Sequence, residues 1–288
     1  MSMDQLMPEN LEPAVEALIE AALAEDLGEV GDLTSKFFVA ADERSKGVIA
    51  ARERGVAAGI DVAVRVFELV DAGVVAKAKC ADGTELEEGT VLIDLEGDSQ
   101  SILTAERTAL NFLQRLSGIA TATREYCDLI EGTGAVILDT RKTMPGWRWL
   151  DKMAVRAGGG QNHRMGLYDR VMLKDNHLAA LDPAQMQVKI DAFKAEHPKV
   201  EIEIETDNLD QVRRFLELKN VDYLLLDNMS LDQLRSAVAM NETPIKLEAS
   251  GGVNLETVRS IAETGVDFIS VGALTHSVKA LDIGLDFS

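Results

Sequence analysis

Three stretches of the chain carry side chains whose types and spacing suit chemistry on a small anion. The first runs from Asp139 to His177, where eight basic side chains stand against four acidic ones in a chain of formal charge −20. Arg141 and Lys142 directly follow the apolar run AVILDT. They therefore sit at a strand end, where a guanidinium fork matches a carboxylate bidentately and a lysine acts as a point charge. Gly158, Gly159 and Gly160 leave room for close backbone approach just before Gln161-Asn162-His163-Arg164. The Arg164 cation disfavours a protonated His163 unless a ligand carboxylate offsets it, so the basic surroundings make His163 a functional candidate. Lys174 and His177 close the stretch, His177 fitting a structural or a functional role equally well.

The second stretch is a pair of glycine turns. Ser250, Gly251 and Gly252 end one apolar run and Gly272 ends the next. Glycine lets backbone N–H groups approach a phosphate, and a helix capped by Asn254 would add a favourable dipole. These four residues are assigned to a phosphomonoester. In the third stretch, Glu201, Glu203 and Glu205 alternate along one strand and share a face. Glu205 lies nearest the C-terminal end, with Glu203 one layer down, and Asp227 takes the matching place on the next strand. Two neighbouring carboxylates suit ribose hydroxyls, a developing positive charge, or a Mg²⁺ brought in by substrate phosphates and met through substrate or water. The chain has no Walker loop, G-x-G-x-x-G, HExxH or CxxC. Trp147, Trp149, His197 and His276 read as packing or surface residues.

The elements that must position these residues are legible in the apolar pattern. Leu11, Val15, Leu18, Ile19, Ala22 and Leu23 predict a helix ended by Gly28 and Gly31. Short β-rich runs follow from Lys46 to Gly97, with a helix near 61–71, and then one long or two abutting helices from Ser101 to Glu131, Gly118 being the candidate break. Beyond residue 134 apolar strands alternate with amphipathic helices, the later strand centres, Ile204, Leu225, Leu247 and Ile269, being 21, 22 and 22 residues apart. Such a recurrence predicts parallel strands with right-handed crossovers. A (β/α) barrel, or alternatively an open doubly wound sheet, satisfies it, and in a barrel the polar strand ends converge on one mouth.

Composition excludes several classes. At 288 residues, 46% hydrophobic and 27% charged, the chain reads as globular, with no apolar run long enough for a bilayer. The net charge argues against nucleic-acid or membrane-surface partners. Screening over about 8 Å leaves the sign of a ligand to the bases that touch it. Cys80 and Cys127 are too few for a disulfide framework and read as buried thiols. The first 18 residues carry acids and prolines where a secretory signal has a basic start and an apolar stretch, so the cytoplasm is the expected address.

With these residues in place, the sequence resembles the quinolinate phosphoribosyltransferase family almost end to end. The resemblance is carried by EDLGEVGDLTS at 25–35, ERTALNFLQRLSGIAT at 106–121, LDTRKTMPGWR at 138–148, AVRAGGGQNHRMGLYD at 154–169, KDNH at 174–177, LLDN at 225–228, EASGGV at 248–253 and SVGALTHS at 270–277. It implies an α/β fold of the type II phosphoribosyltransferase kind: an N-terminal α/β sandwich over 1–117, an incomplete seven-stranded (β/α) barrel over 118–275, and a segment 276–288 packing back on the first domain. It also implies a homodimer or dimer-based hexamer that joins quinolinate to phosphoribosyl pyrophosphate with Mg²⁺, giving nicotinate mononucleotide, pyrophosphate and CO₂.

Residue by residue, the resemblance casts Arg141, His163, Arg164 and Lys174 as quinolinate binders and Arg107 as an arginine inserted into the neighbouring subunit's site. Lys142, with Lys174, would steady pyrophosphate and its metal. Glu205 and Asp227 would lie beside the ribose, and Ser250, Gly251, Gly252 and Gly272 would cradle the 5′-phosphate. One departure is IEIETD, which puts Thr206 where the family commonly has an apolar residue and keeps Glu203 as the alternative to Glu205. Three rival functions remain at this stage: phosphoribosyl transfer to nicotinate, a Schiff-base aldolase using Lys142 or Lys174, and a non-enzymatic acidic binding protein.

Overall fold

The apolar runs of the C-terminal half form one parallel sheet in the computed structural model, which describes residues 13–174, 177 and 183–288. Its strands are β6 (Val136–Leu138), β7 (Arg170–Leu173), β8 (Glu201–Thr206), β9 (Tyr223–Asp227), β10 (Lys246–Ser250) and β11 (Phe268–Ser270). They lie in the order β6-β11-β10-β9-β8-β7, all neighbours parallel. Gln161 adds a one-residue parallel bridge to Leu138 on the free side of β6, its N–H donating to Ile137 O at 2.8 Å. The resemblance implies seven strands; among the described residues the partial barrel has six, with this one-residue bridge beside the first.

Alternation along β8 sets the layers of the barrel. Ile202 and Ile204 are buried outward under the helices, while Glu201, Glu203 and Glu205 share the opposite face. Thr206 is buried and donates to Leu225 O at 3.0 Å, which satisfies its hydroxyl without moving the register of the glutamates. The next helix, Leu209–Phe215, is capped by Asn208, whose side chain accepts from the Gln211 N–H.

A second compact unit groups the described residues up to Arg124 with Met144–Gly159 and Ser277–Ser288. Its sheet runs β12-β1-β5-β3, antiparallel throughout, from Arg44–Ala51 (β1), Val75–Ala78 (β3), Val91–Asp98 (β5) and Ile283–Phe287 (β12). The helix Ile60–Val70 packs on β3 and β5 with Ile60, Val62, Ala63, Val66 and Phe67 buried, and the helix Pro13–Leu27 buries Val15, Ile19 and Leu23. Leu11, also expected on that helix, lies outside the described residues.

Of the two alternatives read from the sequence, one long helix or two abutting ones, the structure has the first: the helix Ser99–Leu129 is continuous through Gly118. That glycine is required because a Cβ there would collide with the backbone carbonyl of Lys279. Residues 144–159, read as part of a barrel running without interruption from 118 to 275, group instead with the first unit. Trp147 stacks there on Phe112 at 4.9 Å, and the fully buried Asp151 pairs with Arg115 at 3.0 Å.

Candidate active site

The site is built at the C-terminal ends of the parallel strands. Asp139, just past β6, is fully buried and accepts the His163 backbone N–H at 2.9 Å and the Asn162 side-chain amide at 2.5 Å. This carboxylate ties the segment 160–164 to the end of β6. Arg141, two residues on, is half-buried, with its Nε shut off from solvent and without a hydrogen-bond partner among the described residues. Arg164 donates to Arg170 O at 3.1 Å, and its pKa is lowered first by burial and then by the neighbouring Arg141 guanidinium. Two crowded guanidiniums, one with an unused buried donor, call for an anion.

Around the same mouth Lys174 pairs with Glu205, the lysine half-exposed and the carboxylate mostly covered. His177 Nδ1 accepts from the Lys174 N–H at 3.0 Å, so His177 steadies the lysine's backbone. Asp175 and Asn176, between them, lie outside the described residues. Asp227 accepts from Asn228 Nδ2 at 2.7 Å and stands in register with Ser250.

The glycine turns join this arrangement. Gly251 and Gly252 have φ of 94° and 64°, and a Cβ on Gly251 would collide with the Asn228 side-chain amide. At Gly272 a Cβ would come within 3.1 Å of Lys142 Cδ and 3.2 Å of His276. Lys142, itself exposed, is thus laid across the second turn, while its carbonyl accepts from Thr275 Oγ1 at 2.9 Å. The helix expected to begin after Asn254 starts only at Val258 and is five residues long. The turn therefore offers glycine amides rather than a helix dipole. Sequence reasoning did not single out Asn228, which the structure holds at a left-handed φ of 53°; the available signal was an asparagine, a residue that tolerates that conformation, beside Asp227 at the end of the LLDN motif.

Glu203 and Glu205 separate cleanly. Glu205 faces Lys174 at the mouth, whereas Glu203 is fully buried, 3.1 Å from His163 Nε2. Glu248 lies 3.5 Å from the same nitrogen and accepts from Ser270 Oγ. Arg170 Nη1 stands 3.7 Å from Glu203, and Arg170 Nη2 pairs with Glu201 at 2.7 Å. Ligating atoms of His163, Glu203 and Glu248 fall within 4.8 Å of one another, but Arg170 already supplies the cation that a metal would bring. The mouth pair Glu205 and Asp227 offers hard oxygen donors that fit Mg²⁺ only as partial ligands, to be completed by substrate oxygens or water.

Burial raises the Glu248 carboxyl to about 8, with Glu203's charge adding to the effect. Glu203 stays low, because His163 at 3.1 Å, followed by Arg170, outweighs its own desolvation. The folded chain thus holds a proton at Glu248 that an unfolded carboxyl releases near 4.5, and folding stability falls as pH rises between those values. Glu248→Gln keeps the neutral shape and should gain on the wild type by about 1 kcal/mol per pH unit from pH 5 to 8. Denaturation midpoints across that range check this, and parallel curves would contradict it.

Arg107, the remaining expected site residue, is exposed on the helix Ser99–Leu129 of the other unit. Among the described residues no helix is long and apolar enough to cross a membrane.

Comparison with known proteins agrees with this geometry. The model for the quinolinate phosphoribosyl transferase C-terminal domain matches residues 119–286 and that for the N-terminal domain residues 32–117. A nicotinate-nucleotide pyrophosphorylase [carboxylating] from Mycobacterium leprae is 43% identical over 93% of this chain and 95% of its own. The chloroplastic protein of the same name from Arabidopsis thaliana is 42% identical over 94% and 82%. The solved nicotinate-nucleotide pyrophosphorylase from Francisella tularensis superposes with a TM-score of 0.89 at 37% identity, over 97% of this chain and 98% of that one. With both domain models matched in order and relatives similar over nearly their whole length, the chain belongs to the quinolinate phosphoribosyl transferase family.

Proposed function

We propose that the chain is a carboxylating nicotinate-nucleotide pyrophosphorylase, joining quinolinate to phosphoribosyl pyrophosphate to give nicotinate mononucleotide, pyrophosphate and CO₂ in NAD biosynthesis. The observation that carries this reading is the crowding of Arg141 and Arg164, with Arg141 Nε unused, on the barrel whose later strands end in the Ser250–Gly252 and Gly272 turns. Arg141, Arg164 and Lys174 bind the two carboxylates of the pyridine. The amides of Gly251, Gly252 and Gly272, with Ser250, hold the 5′-phosphate. Glu205 and Asp227 flank the ribose and stabilise the positive charge that grows at its C1 as pyrophosphate leaves. Lys142 and Lys174 neutralise the departing pyrophosphate. Mg²⁺, when bound with the phosphates, adds Lewis-acid stabilisation of that leaving group. After the new C–N bond forms, the ring nitrogen's positive charge accepts the electron pair released as the adjacent carboxylate leaves as CO₂, and a proton then takes its place on carbon.

Lys174 is poorly suited to a Schiff-base aldolase, since such a lysine is desolvated whereas this one is half-exposed and ion-paired. Nicotinate, with one carboxylate, would leave part of the arginine set unpaired. Assaying both acids against phosphoribosyl pyrophosphate and Mg²⁺ tests the choice: quinolinate should give nicotinate mononucleotide, and preferential turnover of nicotinate would overturn the reading.

The proposal includes a cytoplasmic address and a dimer-based assembly in which Arg107 enters the partner's site. Its exposure on a long helix and its place in the ERT motif support the second point. An equal mixture of inactive Arg107→Ala and Glu205→Ala chains, reassembled, should recover up to about a quarter of wild-type activity, because half the dimers are hybrids with one intact site. No recovery in hybrids verified by mass spectrometry would return Arg107 to its own subunit.

A further inference from the structure

The barrel is filled in layers below its mouth. Glu203 of β8 and Glu248 of β10 put two fully buried carboxylates one layer down. Below them, at the opposite end of the strands from the mouth, lies a cluster that the proposed chemistry does not use. It consists of Arg170, Glu201, Tyr223 and Phe268, the first residues of β7, β8, β9 and β11. Arg170 Nη2 pairs at 2.7 Å with Glu201, its neighbour across the β7–β8 ladder. Its guanidinium carbon stands 4.2 Å from the centre of the Tyr223 ring, which tilts against Phe268 at 5.9 Å. Burial pushes the Tyr223 phenol up to about 12, so it keeps its proton and donates it to Glu201 at 3.0 Å. Burial opposes the charge of Arg170, but Glu203 and then Glu201 more than offset it, and the guanidinium's pKa is raised.

Glu201 and Tyr223 thus fix Arg170 without drawing on Glu203. Nη1, 3.7 Å from Glu203, makes no hydrogen bond among the described residues, so what Arg170 gives Glu203 is charge and not a directed bond. The consequence is felt at Arg164. That guanidinium donates to Arg170 O at 3.1 Å and stands 3.6 Å from the sulfur of Met172, which is in register with Glu203. A carboxylate brought to Arg164 therefore arrives at the level of a buried anion that would repel it. We infer that Arg170 is a specificity-determining residue: seated on Glu201 and Tyr223 at the foot of the barrel, it offsets the charge of Glu203, so that the pocket at Arg141 and Arg164 takes a dianion in preference to a monoanion. The inference rests on the proposed binding of a pyridine dicarboxylate and adds a residue that never touches it. Charge gives this role a signature. Each substrate carboxylate meets a deficit below the pocket separately, so the binding free energy of a dicarboxylate changes about twice as much as that of a monocarboxylate. Lost packing weakens both alike.

The test compares quinolinate with nicotinate, which has one carboxylate fewer, as ligands of the intact protein without phosphoribosyl pyrophosphate. Quinolinate is titrated by calorimetry and nicotinate by competition against it. Arg170→Met keeps much of the side chain's bulk and should weaken quinolinate about tenfold and nicotinate about threefold. Arg170→Lys keeps the charge without the stack and should hold both acids within about threefold of the wild type. Arg170→Met combined with Glu203→Gln removes both charges and should return quinolinate to within about threefold. The same pair supplies the measurement if Arg170→Met alone, which strands a buried anion, does not fold.

Equal weakening of the two acids in Arg170→Met, a loss in Arg170→Lys as large as in Arg170→Met, or no recovery in the double variant would each overturn the inference. Wild-type protein that binds neither acid refutes the proposed function. Wild-type binding with an unchanged preference in Arg170→Met refutes the inference alone.

Discussion

Arg141→Ala should lower kcat/KM for quinolinate about a thousandfold, since it removes two charge-assisted hydrogen bonds worth about 2 kcal/mol each at a partly desolvated site. The magnitude follows from the state of this side chain. Its Nε is buried and has no acceptor among the described residues, so the desolvation of that nitrogen is already complete before substrate arrives. A carboxylate that reaches it therefore gains a donor that water does not compete for. Arg141→Lys keeps the charge without the fork and should lie between, about thirtyfold down. The loss should appear against quinolinate, with KM for phosphoribosyl pyrophosphate little changed. Folding should not suffer, because removing a cation crowded by Arg164 relieves repulsion. Steady-state kinetics with each substrate varied, beside a thermal midpoint, check all three points. A loss shared equally between the substrates would place Arg141 away from the pyridine.

Gly251→Ala should be the most damaging substitution in the phosphate turn, lowering kcat/KM for phosphoribosyl pyrophosphate about a hundredfold. Two costs combine at this residue. Its φ of 94° is a conformation that a residue with a Cβ rarely adopts, and that Cβ would meet the Asn228 side chain and backbone. Asn228 is itself held in the left-handed region, with its N–H on Ser250 O at 2.9 Å, so it has little freedom to withdraw. The turn must then open, and with it the amides proposed to hold the phosphate and the Asn228 amide that orients Asp227. Gly252 supplies the control. Its φ is also positive, but among the described residues nothing beyond its chain neighbours stands within 4 Å of a Cβ there. Gly252→Ala should therefore cost the free protein only the backbone penalty of about 1 kcal/mol, visible as a smaller fall in thermal midpoint than for Gly251→Ala. Equal midpoints for the two variants would mean that the Asn228 contact does not constrain the turn.

The sequence made the barrel and its mouth legible because both are periodic. Strand recurrence every 21 or 22 residues announces βα units, and polar residues closing each apolar run mark the end at which a parallel barrel opens. The alternation of Glu201, Glu203 and Glu205 was enough to rank them by depth, and the structure keeps that order, with Glu205 at Lys174 and Glu203 buried. What the string of residues does not encode locally is the partner of each group. Gly118 looks like a helix break, yet it lies inside a continuous helix because the chain near Lys279 passes over it. Asn254 looks like a helix cap, and its Oδ1 does accept from Glu256 and Thr257 N–H, but the helix proper starts at Val258. His163 looks like a cation for substrate because its neighbours in sequence are basic. In space its ring also meets Glu203 and Glu248, from two other strands, which no local pattern in the sequence announces.

The central claim is that one barrel mouth brings a pyridine dicarboxylate to an activated ribose and then releases one of its two carboxylates. Quinolinate labelled with ¹⁴C in the carboxylate next to the ring nitrogen tests it most directly. With phosphoribosyl pyrophosphate and Mg²⁺ present, labelled CO₂ and unlabelled nicotinate mononucleotide should form in equal amounts, and leaving out phosphoribosyl pyrophosphate should abolish both. Nicotinate mononucleotide that retains the label, or labelled CO₂ released without phosphoribosyl pyrophosphate, would contradict the account.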